Sequence, residues 1–423
     1  MNPSHHRLDN GLHVVLDPMA TVESLTLGVW IQVGSRHEPE GLNGLAHLLE
    51  HMVFKGTRAR SAFDIVSQIE GRGGSINAYT SRENTAYYCR LLGEDLPLGL
   101  DILADMIAQA TLKADDLEKE RHVILSEIHQ AQDTPDDIIF DCFQETAFPN
   151  QGLGNPVLGR ESVLNSVGEA PLRAFRDRVY SANSMTLVVS GKFDRDQALD
   201  LIRTRFGPIP AGARLGFSPG IYKGGEFIQI RQDLEQFHLL LGWPGAALEG
   251  PGYYAQMLIS TLLGGGMSSR LFQKVREEEG LAYSISAYLS AFHDCGLFTA
   301  YAATEPDQLT QLLPLMAKTM WSLCDDLSED ELARAKQLIR AGLLMAQEST
   351  LSRAESFAGQ MQVFGKLMTN AQLLAPLEGV STQDIQAAIR PLLSQPMTLA
   401  IIGPEKPALG LSEVENLFKR TLN

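Results

Sequence analysis

The chain has 423 residues, more than one hydrophobic core usually serves, so two or more domains are expected. Apolar content of 44% and charged content of 20% fit a globular protein, and no run of about 18 apolar residues marks a membrane span. The net charge of −16, from 51 acidic and 35 basic residues, argues against nucleic acid as a partner, whose phosphates need a basic surface. It suits basic or unstructured peptides as ligands, or serves only to keep the protein in solution.

The N-terminus, Met1 to Arg7, lacks the charged-then-apolar pattern of a signal peptide. Asp9-Asn10-Gly11 reads as a turn feeding a strand, Leu12 to Leu16. Ser24 to Gly34 alternates, with Leu25, Leu27, Val29, Ile31 and Val33 facing one way, as in a half-buried strand. Glu38-Pro39-Glu40-Gly41 breaks the chain, and a helix carrying His47-Leu48-Leu49-Glu50-His51 follows. Helix positions i and i+4 share a face, so both imidazoles can reach one metal ion. Glu50, beside them, is placed to take a proton from a water there rather than to ligate. The order H-x-x-E-H inverts the H-E-x-x-H of zinc proteases. The bland alternative is an amphipathic helix with two incidental histidines.

A second helix is expected over Ala62 to Glu70, with Phe63, Val66 and Ile69 three apart, ended by Gly71-Arg72-Gly73-Gly74. Ser75 to Thr80 and Thr85 to Leu92 read as paired strands, and Leu96 to Ala110 and Ala114 to Ala131 as helices. A catalytic zinc needs three protein ligands and an open position. The four cysteines, Cys89, Cys142, Cys295 and Cys324, are far apart, so the ligands would be nitrogen and oxygen. On the second of those helices Leu117, Ile124 and Ile128 form an apolar face, and Glu120 and Glu127 share its edge. One could bind zinc while the other orients a histidine. His122 and His129 compete as ligands on spacing, and the residues alone leave the choice open.

Met185 to Gly191 reads as a strand followed by a helix, Asp196 to Arg205. Gly207 to Gly212, continuing through Ser218-Pro219-Gly220, is rich in Pro and Gly and reads as a linker. Met397 to Gly403 echoes the strand starting at Met185, and it too precedes a helix-like segment, Ser412 to Lys419. The expected fold is therefore α+β: two homologous domains, each a mainly antiparallel sheet with helices packed on it. Its expected divisions are 1–210, a linker at 211–225, and 226–423. The glycines of Leu263 to Phe272 lack the G-K-[ST] ending and the G-x-G-x-x-G spacing of phosphate loops.

Taken together, Gly44 to Thr57, Gly73 to Thr85, Glu120 to Ile128, Gly154 to Arg160, Tyr180 to Gly191 and Gly264 to Tyr283 resemble the M16 (pitrilysin/insulysin-type) metallopeptidases. The similarity is to the short M16B branch, which holds the mitochondrial processing peptidase β subunit and bacterial relatives. It covers nearly the whole chain. The resemblance implies one Zn²⁺ per chain, held by His47, His51 and a glutamate 76 residues beyond the second histidine, Glu127. It makes Glu120 the additional active-site glutamate. It also implies a substrate-binding edge strand over Ser75 to Thr80, with Asn77, Ala78 and Tyr79 along the peptide. The family's R…Y pair falls on Arg276 and Tyr283, which would bind substrate and stabilise the developing oxyanion from the other domain. Without the resemblance, Arg276 reads as a helix-surface charge and Tyr283 as a core aromatic.

The expectation is a zinc endopeptidase that cleaves unfolded or short basic peptides in a chamber enclosed by a homodimer. A bacterial cytoplasm is the expected compartment, with the mitochondrial matrix or periplasm as alternatives. The competing readings are a non-catalytic structural subunit of the same family and a zinc-dependent binding module without turnover.

Overall fold

The computed structural model describes residues 2–419, and the chain divides into two compact units. The first runs from the N-terminus to His129 and adds Asn155–Ser218 and Leu343–Met368. The second takes Gln130–Gly154, Pro219–Gly342 and the chain from Thr369 onward. Residues 211–224, inside the expected linker, carry no regular secondary structure.

The first unit is built on six strands: β1 (Ser4–Arg7), β2 (His13–Pro18), β3 (Ser24–Ile31), β4 (Ser75–Thr80), β5 (Thr85–Leu92) and β6 (Met185–Gly191). Their order is β1-β2-β6-β3-β5-β4, and only the β2/β6 pair is parallel. Between β3 and β4 lie the helices α1 (Leu45–Val53) and α2 (Ala62–Glu70); after β5 come α3 (Leu96–Gln109) and α4 (Ala114–Asp133). Leu25, Leu27, Val29 and Ile31 of β3 enter one core with residues of α1, α3 and α4.

That alternation matches expectation, but β3 is not half-buried: every residue after Ser24 is buried. Its second face is covered by the helix Thr350–Phe364, whose Ala354, Phe357, Ala358 and Met361 pack with Val15, Trp30, Ala86 and Val188. Those partners lie more than 300 residues along the chain, beyond the reach of any local pattern. The expected stripe of α2 also shifts. Ile65 and Ile69 are its buried residues, four apart, while Phe63 stands 78% exposed. A capping box between Ser61 and Asp64 fixes where that helix begins.

The second unit holds β7 (Gly225–Ile230), β8 (Phe237–Gly245), β9 (Ser284–Ala291), β10 (Gly296–Thr304) and β11 (Thr398–Gly403), ordered β7-β11-β8-β10-β9. This repeats β2-β6-β3-β5-β4, with the single parallel pair at the same place. The expected echo of β6 in β11 is therefore structural. A second echo joins the edge strands, Ser75-Ile76-Asn77-Ala78-Tyr79 in β4 and Ser284-Ile285-Ser286-Ala287-Tyr288 in β9. The helix α5 (Pro135–Ala147) covers this sheet through Ile139, Phe143 and Ala147 against Leu240, Ala400 and Ile402. The α+β fold of two homologous units is as expected. Each unit, however, takes one helical segment, 130–154 or 343–368, from the opposite half of the chain.

The borrowed helix of the first unit is fastened by an ion pair as well as by apolar packing. Arg353 Nε and Nη2 fork onto Asp17 Oδ2 and Oδ1 at 2.6 and 2.7 Å, and Asp17 is fully buried. Removing the guanidinium leaves that carboxylate without its charge partner. Arg353→Met should therefore lower the unfolding free energy by about 3 kcal/mol. Denaturant unfolding checks the magnitude. Hydrogen exchange should show protection lost first over Thr350–Phe364.

Candidate metal centre

The inverted motif lies on α1, whose Leu45, Leu48, Leu49, Met52 and Val53 are buried in the core. The helix starts at Gly44, with φ 108°, against Gly159, with φ 89°. A Cβ on Gly159 would sit 2.4 Å from the Gly44 Cα, so the two backbones meet where only glycines fit. Gly44 has no side chain to cap the helix. Glu38 does so instead: its carboxylate accepts from Gly44 N at 2.9 Å, Ala46 N at 2.7 Å and the Asn43 amide at 2.8 Å. In sequence Glu38 looked only like part of a chain break.

Packing α4 through Leu117, Ile124 and Ile128 brings its acidic edge to α1. Glu127 Oε2 lies 3.8 Å from His47 Nε2 and 3.7 Å from His51 Nε2. One ligand atom from each of the three residues falls within 4.8 Å of the others, the only such group found among the described residues. Tetrahedral zinc with bonds near 2.1 Å separates its ligand atoms by roughly 3.4 Å. The two Glu127–imidazole distances are within a few tenths of an ångström of that spacing, and the group as a whole, spanning no more than 4.8 Å, lies within reach of one ion. Two imidazoles and a carboxylate, without thiolate, are a donor set zinc accepts. Burial and the neighbouring His51 push His47 down to about 4, so its ring is neutral at pH 7 with a lone pair to give. Its approach to Glu127 is accordingly not an ion pair.

The competing histidines are set aside by geometry. His122 and His129 have side chains 74% and 58% exposed, beside Glu118 and Glu161 respectively. Glu120 is buried, with Oε2 3.1 Å from His51 Nδ1 and Oε1 2.8 Å from Lys55 Nζ. It can therefore accept from His51 Nδ1 and turn Nε2 toward Glu127. Lys55, four residues past His51, had no legible role until α4 packed beside it.

Glu50 is buried beside this group and accepts a hydrogen bond from Thr80 Oγ1 at 2.5 Å. Burial raises its pKa above the ordinary carboxylate range; the Thr80 hydroxyl and His51 pull it back, and the Glu127 charge raises it. Thr80 closes β4, which among the described residues pairs only with β5 and leaves its outer edge open. Along that strand Ala78 packs on the core, Asn77 Oδ1 accepts from Ala78 N at 2.8 Å, and the Tyr79 hydroxyl accepts from Trp30 Nε1 at 3.2 Å.

In the second unit Arg276 sits on a π-helical segment, Phe272–Glu278, with Cζ 4.7 Å from the ring centroids of both Phe272 and Tyr283. Tyr283 is 74% exposed, so it is not a core aromatic. Both line a cavity of about 300 Å³ together with Gln236, Glu277 and Glu305.

Residues 13–161 match the family model described as insulinase (peptidase family M16), and residues 167–339 match that of the peptidase M16 inactive domain. An uncharacterized zinc protease of Streptomyces coelicolor is 36% identical, over 94% of this chain and 89% of its own. One of Bacillus subtilis is also 36% identical, over 93% and 97%. The crystal structure of a protease from Helicobacter pylori, 21% identical, shares the fold with a TM-score of 0.88 over 96% of this chain and 100% of its own.

The Glu38 cap carries a pH signature. Desolvation lifts its carboxyl to about 7, although three N–H groups favour the ionised form. A carboxyl raised in the folded state holds its proton more tightly there than in the unfolded chain. Its contribution is full below about pH 4.5 and is lost as pH rises through 7. In chelator-treated protein, stability should fall across that window by about 1–3 kcal/mol more than in Glu38→Gln. Thermal unfolding of both proteins at steps from pH 4.5 to 8 measures this; equal slopes would dismiss it.

Proposed function

Because the chain belongs to peptidase family M16, we propose that it is a zinc-dependent endopeptidase cleaving short or unfolded peptides, basic ones foremost. The observation that carries this reading is the convergence of His47 Nε2, His51 Nε2 and Glu127 Oε2, with Glu50 buried beside them. The zinc-protease names of relatives covering nearly the full chain support it.

In this reading His47, His51 and Glu127 hold one Zn²⁺ per chain. When bound, zinc supplies a Lewis acid that polarises the scissile carbonyl and lowers the pKa of a water. Glu50 takes a proton from the attacking water and returns it to the leaving amine. Glu120 fixes the His51 ring, and Lys55 balances its charge. The open edge of β4 offers main-chain hydrogen bonds to an extended peptide, which demands little of the substrate's side chains. Asn77, Ala78 and Tyr79 would lie along that peptide. Arg276 and Tyr283 are proposed as substrate contacts and oxyanion partners on the family resemblance; the exposed Tyr283 ring beside the guanidinium supports it. No metal-binding group occurs among the described residues of the second unit, so catalysis is assigned to the first.

A homodimer enclosing the site is likewise proposed from the family resemblance. The domain divisions 1–210 and 226–423, with a linker at 211–225, are proposed from the Pro- and Gly-rich stretch and the echoed strands at Met185 and Met397. No described helix is long and apolar enough to cross a membrane, and the relatives compared are bacterial. A bacterial cytoplasm is the compartment we propose. The reading of a non-catalytic subunit is disfavoured because every catalytic position of the motif is filled.

Purified protein loaded with zinc should cleave an unstructured basic peptide, lose that activity to chelator and regain it with zinc. No cleavage by metal-replete protein would reject the enzyme reading. Glu50→Gln should retain one zinc per chain by metal analysis and turn over at least about 100-fold more slowly. Glu127→Gln should fail to retain the metal. Light scattering should give twice the 46.4 kDa chain mass, and an active species at the single-chain mass would remove the dimer.

A further inference from the structure

We propose that Thr80 is a positioning residue for Glu50, holding one carboxylate oxygen so that the other is presented as the proton acceptor. The proposal rests on the peptidase reading above and adds to it a residue that neither the H-x-x-E-H motif nor the ligand set contains.

A threonine hydroxyl has one proton to donate. Thr85 Oγ1 directs its proton to the Val33 carbonyl at 2.9 Å, leaving only a 3.5 Å contact with Thr80 Oγ1. The Thr80 hydroxyl in turn donates to Glu50 Oε2 at 2.5 Å. A glutamate's terminal torsion is broad and nearly two-fold, so without a donor its two oxygens exchange roles freely. One fixed donor breaks that symmetry. It engages Oε2, leaves Oε1 for the water, and limits the rotation that would carry the carboxylate away from the metal ligands.

Threonine suits the task because its β-branch restricts χ1, so the hydroxyl direction is set once the strand is set. The strand is well set: Thr80 pairs with Thr85 in the β4/β5 ladder, next to the turn where Ser81 N bonds Asn84 O at 2.7 Å. Glu50 comes from a helix whose N-terminus is pinned by Glu38. Donor and acceptor thus sit on independently anchored elements, which is what positioning a catalytic group to fractions of an ångström requires. The same strand offers its open edge to peptide, so the element that would dock substrate also ends on the residue that orients the base.

Thr80→Val keeps the shape and the β-branch and removes the proton; Thr80→Ser keeps the proton and loosens it. Steady-state kinetics on a fluorogenic unstructured basic peptide should show kcat of Thr80→Val lowered about 10- to 100-fold with KM within about twofold. Thr80→Ser should recover to within about fivefold of wild type. Metal analysis should find one zinc per chain in all three. Chelator-treated Thr80→Val, whose buried Glu50 has lost its donor, should melt below the other two, so kinetics are compared at a temperature where all three are folded. Fluorescence anisotropy should give the same peptide affinity for Glu50→Gln with and without Thr80→Val, which separates positioning from substrate binding.

An unchanged kcat in Thr80→Val, a loss confined to KM, a loss of zinc, or a serine variant as slow as the valine one would each overturn the proposal. Wild-type protein that binds zinc but cleaves nothing would reject the peptidase reading instead, a result readable before any Thr80 variant is made.

Discussion

Burying a glutamate charge costs several kcal/mol unless donors meet it. The first unit nonetheless buries Glu50 and Glu120 and turns the Glu38 carboxylate inward, all around the nine residues of α1. Each carboxylate has its own donors: backbone N–H groups for Glu38, a strand hydroxyl for Glu50, Lys55 and a histidine ring for Glu120. The donors that offset desolvation also fix direction. Hydrogen-bond partners from outside α1 thus hold its start and its flank, and the resulting placement turns both Nε2 atoms toward Glu127.

The segment after α1 is held by the same logic. Thr57 Oγ1 and Arg60 Nη1 both donate to Asp105 of α3 at 2.7 Å, and Arg60 also pairs with Asp101. The metal helix is therefore anchored at its start by Glu38 and beyond its end by α3, while its apolar side is fixed in the core. A metal ligand set gains affinity when its members need not be ordered on binding. Here the helix that carries both imidazoles is ordered by contacts of the protein itself.

Local pattern carried much of the fold because the signals involved are local. The glycines after Glu70 mark the end of α2, and the structure returns α2, β4 and β5 at their expected bounds, Ala62–Glu70, Ser75–Thr80 and Thr85–Leu92. The second face of β3 was illegible because its cover comes from Thr350–Phe364, and no periodicity near residue 30 encodes a helix so distant. The site divides in the same way. His47, Glu50 and His51 were readable as spacing on one helix. A helical wheel could place Glu120 and Glu127 on an edge but could not tell either from His122, since a wheel gives direction and no distance. Glu38, Lys55 and Thr80 look in sequence like a turn residue, a surface charge and a strand end. Their meaning arises only from what packs against them.

The duplicated unit shows what the metal site adds to a shared scaffold. Between β8 and β9, where the first unit places α1 and α2 between β3 and β4, the second places the helix Tyr253–Gly264 and the segment that carries Arg276. That helix holds no histidine or carboxylate, and its Leu258, Ile259, Leu262 and Leu263 are buried. A position freed of ionisable ligands needs no inward donors, and the carboxylate-and-donor arrangement around α1 has no reason to persist there. The edge strand, by contrast, keeps the Ser-Ile-x-Ala-Tyr sequence in both units, consistent with demands set by the sheet rather than by the metal. The fold therefore tolerates either solution between those strands. In the peptidase reading proposed above, the requirement for His47, Glu50 and His51 comes from chemistry, and the buried glutamates of the first unit are what that chemistry costs the fold.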